Sequence, residues 1–317
     1  MTPKSERVLL DVKYLPFWIL AGVSLFIILP ILLLTLIQGK GDQTATPTPL
    51  VRATPSHPVI SSLPEPDAGQ ADAATQPAAP ILQSARFIPP AESAMPSGEL
   101  GDTIKLGRNI FVNTQVYAKG LVGNGLNCVN CHLDAGRKAD SAPLWAAYVM
   151  FPAYRDKNKK VNSYEDRLAG CFRFSLNGTA PEYNSKEMIA LTSYSYWLAK
   201  GAPTGVELVG RGYPKLANPP LPADIQRGAS VYQANCTLCH GANGLGTQVN
   251  GSYAFPPLWG KDSYNAGAGM HSAKNAAAFI KANMPLGKGN SLSVQQAWDV
   301  AAFVNSHERP VDPRAKQ

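Results

Sequence analysis

Cys128-Val-Asn-Cys131-His132 and Cys236-Thr-Leu-Cys239-His240 are two copies of one short pattern, 108 residues apart, and they constrain the chain more than any other feature. In C-x-x-C-H two thiols can add to the vinyl groups of a porphyrin while the adjacent imidazole takes the iron from one side, the attachment signature of c-type haem. A redox dithiol wants a βαβ setting, and a zinc site more often pairs two CxxC units without a His fused to each. Two copies with the His in register therefore imply two covalently bound haems.

The residues around the motifs repeat as well. "GDTIKLGRNIFVNT" precedes the first and "SKEMIALTSYSYWLAKGAP" closes its unit, while "PADIQRGASVYQANCTLCHG" and "SVQQAWDVAAFVNSHERP" frame the second. Apolar residues recur at helical spacing in the closing segments: Ile189, Tyr194, Trp197 and Leu198 in one, Trp298, Ala301, Ala302 and Val304 in the other. Ser293 with Gln296 forms a capping box. No run alternates with period two over a useful length, so the expected head is all-α. The long period excludes a solenoid and suits a duplicated domain, with one copy over residues 95–215 and the other over 216–317. Gly123-Asn-Gly125 and Gly241-x-x-Gly244-x-Gly246 flank the motifs without a following Lys-Ser/Thr, and are expected to be loops that let backbone approach a porphyrin.

Ahead of the head, residues 15–37 carry no charge, and at about 1.5 Å per residue this run spans roughly 34 Å, enough to cross a bilayer core. Lys4, Arg7 and Lys13 precede it against Lys40 alone close behind, so the positive-inside bias leaves residues 1–14 in the cytoplasm and the head outside. A cleaved signal peptide is the alternative; the length of the run and the absence of a small-x-small site speak for a retained anchor. Residues 38–94, rich in Pro, Ala, Thr and Ser, lack the side chains of a core and read as a semi-extended tether. The expected place is the inner membrane, single-pass, with a periplasmic head. A net charge of +7 favours anions, whether substrate, acidic partner or lipid headgroup, and no nucleic-acid partner is expected.

Each haem iron needs a sixth ligand, and here the halves differ. "FIKANMPLGKGN" presents Met284 after a helix and before Pro285, with Met270 and His271 as rivals. In the first half Met150 and Met188 sit in no such loop, and the corresponding position is held by Cys171, the one cysteine outside the motifs. Most free cysteines are small buried hydrophobes. An unpaired thiol exported to an oxidising compartment is nevertheless a liability unless used, so Cys171 is read as a haem ligand. Thiolate lowers an iron potential and thioether raises it, which gives electrons a direction.

"VGNGLNCVNCHLDAGRKADSAPLWAAYVMFPAYR", "YEDRLAGCFRFSLNG" and "FPPLWGKDSYNAGAGM…FIKANMPLGKG…AWDVAAFVNSHERP" resemble the dihaem thiosulfate dehydrogenase family across essentially all of residues 95–317. The resemblance implies two class I cytochrome c domains. His132 and Cys171 would bind the active-site haem, and His240 with Met284 the haem that passes electrons out. Asn283 stands where some members carry a lysine. The implied reaction joins two thiosulfates into tetrathionate and delivers two electrons to a periplasmic or membrane acceptor, a cytochrome, an oxidase or a photosynthetic centre. It also implies that Arg167 and Ser175, four residues either side of Cys171, meet the substrate, with Arg155 as a further arginine and Lys157 as its competitor. If local turns continue through the segment, that spacing puts Arg167 and Ser175 on the face of Cys171. Asn177 could donate to a sulfonate oxygen. Taken alone, each arginine would read as a solvated charge, with Glu165 and Asp166 on hand for Arg167. Two other readings stay open, a non-enzymatic dihaem electron carrier and a tetrathionate reductase.

A reporter fused after residue 45 is expected to be active outside the cytoplasm, and the mature protein to keep its N-terminus. Soluble protein starting near residue 40 would show instead that the apolar run is a cleaved signal.

Overall fold

The computed structural model describes residues 86–316. Its longer helices are, in chain order, α1 (Gly98–Val112), α2 (Tyr164–Gly170), α3 (Lys186–Leu198), α4 (Ile225–Asn235), α5 (Ala273–Asn283) and α6 (Val294–Asn305). Their starts are written locally. Ser163 and Asp166 make a reciprocal capping box at α2, and Ser293 and Gln296 make the expected one at α6. Ser185 caps α3 by accepting from Met188 N at 3.2 Å, and Asp224 caps α4 by accepting from Arg227 N at 2.7 Å.

The duplicated plan is a helix crossing made twice. α1 lies on α3 at Gly107, where an added Cβ would meet Ala190 O at 2.0 Å and Tyr194 Cβ at 2.8 Å. α4 lies on α6 at Gly228, where it would meet Asp299 O at 2.1 Å and Phe303 Cβ at 2.7 Å. In both halves the glycine faces one carbonyl and a ring-bearing residue four positions later, so two backbones approach as closely as sterics allow. Around the first crossing is the larger apolar core, built on Trp145, Tyr194, Phe172, Ile104 and Met188. A second core gathers Tyr232, Trp259, Leu292, Val300 and Val304, and a small one joins Ala276 and Ala277 to Ala301. Tyr264 and Ala268, from the second half of the sequence, belong to the first core.

Asparagines stitch the halves together. Asn124 Nδ2 donates to Ser175 O at 2.8 Å and to Ser263 O at 3.0 Å. Asn265 Nδ2 donates to Arg173 O at 2.9 Å and to Asn177 Oδ1 at 3.0 Å.

Three expectations change. The head is mostly helical but not all-α: Ala153–Arg155 (β1) pairs antiparallel with Lys160–Asn162 (β2), and Thr247–Val249 (β3) with Ser252–Phe255 (β4). The second turn is Asn250-Gly251, with φ of 51° and 76°, the left-handed pair a two-residue hairpin requires. Next, Ile189 is 49% exposed, because the buried stripe of α3 runs one residue earlier through Met188, Leu191, Tyr194 and Leu198. Finally, the last residues assigned to the tether lie against the head. Phe87 packs on Trp145 with ring centroids 5.3 Å apart, and Arg86 reaches Asp140 at 3.2 Å. Among the described residues no helix is long and apolar enough to cross a membrane, and the candidate span 15–37 lies outside them.

Gly107→Ala and Gly228→Ala are each expected to cost about 1–3 kcal/mol by overpacking, read as a lower melting midpoint in far-UV circular dichroism. An unchanged midpoint would mean that the helices slide apart without penalty.

Candidate functional site

Each motif histidine is held by one carbonyl. His132 Nδ1 lies 2.6 Å from Ala142 O, and His240 Nδ1 lies 2.8 Å from Pro256 O. A carbonyl only accepts, so Nδ1 carries the proton and Nε2 keeps its lone pair for a metal. Burial lowers the His132 pKa to about 4 and also lowers that of His240, so both rings are neutral, as a metal ligand must be. Burial likewise pushes the thiols of Cys128 and Cys131 up to about 12 and that of Cys236 to about 11. Among the described residues no group of three His, Cys, Asp or Glu is placed to hold a bare metal ion. The zinc reading therefore lacks a cage. Paired thiols beside a one-sided imidazole and an apolar cavity fit haem c, whose iron arrives with four nitrogens of its own.

The second motif opens on a cavity of about 500 Å³ lined by Cys236, Cys239, His240, Met270 and Met284 among others. Leu126 and Cys131 of the first half line it too, and they also line the smaller cavity of the first motif. The two sites are thus neighbours through Cys131. Met284 and Met270 both reach the larger cavity, whereas His271 is not among its lining residues. Asn283, just before Met284, is 1% exposed and donates to Phe279 O at 3.2 Å, so its amide points into the protein.

In the first half, α2 does not stop at Gly170 but runs into one π-helical turn, Cys171–Ser175, closed by Leu176 N–H donating to Cys171 O at 3.0 Å. Such turns re-aim side chains and recur at functional sites. Arg167, Cys171 and Ser175 line one cavity with Cys128, Cys131 and His132. Arg167 Nη1 lies 2.8 Å from Cys171 Sγ, and that sulfur is the largest cause of the rise in the Arg167 pKa. Among the described residues Arg167 forms no salt bridge, the alternative left open for it: Asp166 is taken by Ser163 N–H and by the hydroxyl of Tyr183.

Arg155 is desolvated and feels the charge of Arg167, both of which lower its pKa. Neither arginine has a carboxylate partner among the described residues. Lys157 differs, because its Nζ donates to Gly267 O at 2.6 Å and sits 4.1 Å from the Phe174 ring. That leaves Arg155 the freer of the two competitors. Asn177 holds a left-handed φ of 48° and its Oδ1 accepts from Asn265, which makes it part of the junction between halves. The flanking glycines are taken up by protein contacts. A Cβ at Gly123 would meet Asn177 O at 2.1 Å, one at Gly125 the Tyr253 ring at 2.2 Å, and one at Gly244 the Trp259 ring at 2.0 Å. Nothing in the sequence marked Asn124 or Asn265, whose bonds exist only once the halves meet.

The family described as cytochrome c oxidase, cbb3-type, subunit III matches residues 223–304. Two curated relatives called thiosulfate dehydrogenase are similar over most of the chain. That of Thiomonas intermedia is 60% identical over 236 residues, covering 74% of this chain and 75% of its own. That of Stutzerimonas stutzeri is 59% identical over 228 residues, covering 72% and 74%. Among solved structures, thiosulfate dehydrogenase (TsdBA) from Marichromatium purpuratum superposes with a TM-score of 0.70 at 51% identity. That match covers 72% of this chain and 50% of that one, so the likeness spans half the length of the larger protein.

Met284→Ala is expected to lower the potential of the second haem in a redox titration, since losing a thioether favours the ferric state. An unchanged potential would assign the ligand to Met270.

Proposed function

The chain belongs to the dihaem thiosulfate dehydrogenase family, and from that premise we propose that it oxidises thiosulfate at Cys171 by 2 S₂O₃²⁻ → S₄O₆²⁻ + 2 e⁻. The observation that carries this assignment is the Arg167–Cys171 contact of 2.8 Å inside a cavity shared with the first haem motif. When bound, haem c would supply one-electron acceptance; His132 and Cys171 would hold it at the first site, and His240 and Met284 at the second.

Bringing two dianions together requires fixed positive charge and hydrogen-bond donors. Arg167 and Arg155 provide the charge: Arg167 is met by the Cys171 sulfur alone, and neither arginine has a carboxylate partner among the described residues. Ser175 lines the same cavity and offers a hydroxyl to a sulfonate oxygen. The Cys171 sulfur meets the sulfane sulfur of the first thiosulfate. Forming that S–S bond from two anionic sulfurs releases two electrons. The second thiosulfate then attacks the bound sulfane sulfur, forming the central bond of tetrathionate and returning the Cys171 thiolate. Asn177 shapes the turn and makes no substrate contact in this scheme.

With a thiolate holding one haem and a thioether the other, electrons would flow from the first site to the second, and Cys131 lines both cavities. That ordering supports oxidation over tetrathionate reduction. A carrier that only relayed electrons would have no use for an arginine aimed at the Cys171 sulfur in a cavity of its own. Residues 15–37 anchor the chain in the inner membrane with the head in the periplasm, within reach of a periplasmic or membrane electron acceptor.

Cys171→Met exchanges thiolate for thioether, so the first haem is expected to stay six-coordinate while its potential climbs by a sizeable part of the roughly 0.8 V that axial ligands control. Thiosulfate turnover should fall by orders of magnitude with both haems attached. Arg167→Ala should weaken thiosulfate binding by about 1.5–3 kcal/mol, read as a raised KM. Near-normal turnover in a haem-loaded Cys171→Met protein would sink the catalytic assignment.

A further inference from the structure

The loop Asp140–Ala142 touches both haem sites. At one end Ala142 O receives the Nδ1 proton of His132 at 2.6 Å. At the other, Asp140 O accepts from Asn283 Nδ2 at 3.0 Å, and Asn283 is the residue before Met284. Asp140 and Ala142 have φ of 65° and 52°, left-handed conformations that non-glycine residues keep only where their surroundings over-determine them. Those surroundings are identifiable. Asp140 N–H donates to Gly210 O at 2.8 Å and Ala142 N–H to Gly212 O at 2.7 Å, while the fully buried Ser141 donates its hydroxyl to Lys138 O at 2.8 Å. Asn283 is buried with Oδ1 unpartnered, so its Nδ2, shared between Asp140 O and Phe279 O, is what holds the amide in the interior.

We propose that Asn283 is a positioning residue for the first haem: through the Asp140–Ala142 loop it sets the His132–Ala142 hydrogen bond, and so couples the Met284 segment to the proximal ligand of the other site. A carbonyl that accepts the Nδ1 proton strengthens the imidazole as a donor, which favours ferric iron and lowers the potential. Asn283→Asp puts a carboxylate oxygen against Asp140 O, loosens the loop, weakens that bond, and raises the potential of the first haem. The coupling rests on His132 and Met284 being ligands, which the spectrum of the unmodified holoprotein tests separately.

The experiment is a redox titration of both haems in the haem-loaded chain, comparing wild type, Asn283→Asp, Ser141→Ala and the double variant. Ser141→Ala loosens the loop without touching the second half. The expected result is an upward shift of the first haem in both single variants, an unmoved second haem in Ser141→Ala, and a double shift smaller than the sum, as residues acting through one element give. An unmoved first haem in Asn283→Asp, or additive shifts in the double variant, would overturn the coupling. A wild-type spectrum without His ligation at the first site would overturn the ligand reading and the coupling with it.

Discussion

The Arg167 guanidinium donating to the Cys171 sulfur at 2.8 Å is the contact on which the first half depends. It joins what must hold an anion to what is proposed to hold an iron. Charge-assisted hydrogen bonds are roughly twice as strong as neutral ones, and this one is sheltered by Leu168 and Phe172, which anchor α2 and its π turn in the core. The helix needs its Ser163–Asp166 box to start in phase, and the π turn sends Ser175 to the same cavity as Arg167. With Asp166 spent on the cap and on Tyr183, no carboxylate among the described residues competes for the arginine.

One skeleton carries two different sites because the glycine crossing is indifferent to what hangs from it. Gly107 with Ala190 and Tyr194, and Gly228 with Asp299 and Phe303, fix the same pair of helices in each half. The halves diverge between that glycine and the first motif cysteine, a stretch far longer from 107 to 128 than from 228 to 236. The extra chain contains Gly123, Asn124 and Gly125, which grip the Ser175–Asn177 turn and the second half. The Ser175–Asn177 turn is therefore braced by residues with no counterpart in the other copy. In the proposed scheme electrons leave through the plainer copy.

Features fixed by neighbours in sequence were legible. The two motifs, the closing helices and the Ser293 box depend on spacings of a few residues, and the helices form where spacing put them, with the buried stripe of α3 one residue away from Ile189. Asn250-Gly251 was equally local, but a search for long alternation passes over strands of three and four residues. Features fixed by distant chain were not legible. Asn124 bonds Ser263 across 139 positions and Asn283 bonds Asp140 across 143, and no pattern in either segment announces its partner. The contrast between Arg155 and Lys157 is of the same kind, since the Gly267 carbonyl that engages Lys157 lies 110 positions away in sequence.

Electron paramagnetic resonance of the oxidised holoprotein tests the central claim most directly, because it reports both axial ligand sets before any turnover. The account predicts two distinct low-spin ferric signals, one with the small g anisotropy of imidazole–thiolate ligation from His132 and Cys171, the other of imidazole–thioether type from His240 and Met284. A high-spin first haem, or two signals both of imidazole–thioether type, would contradict it.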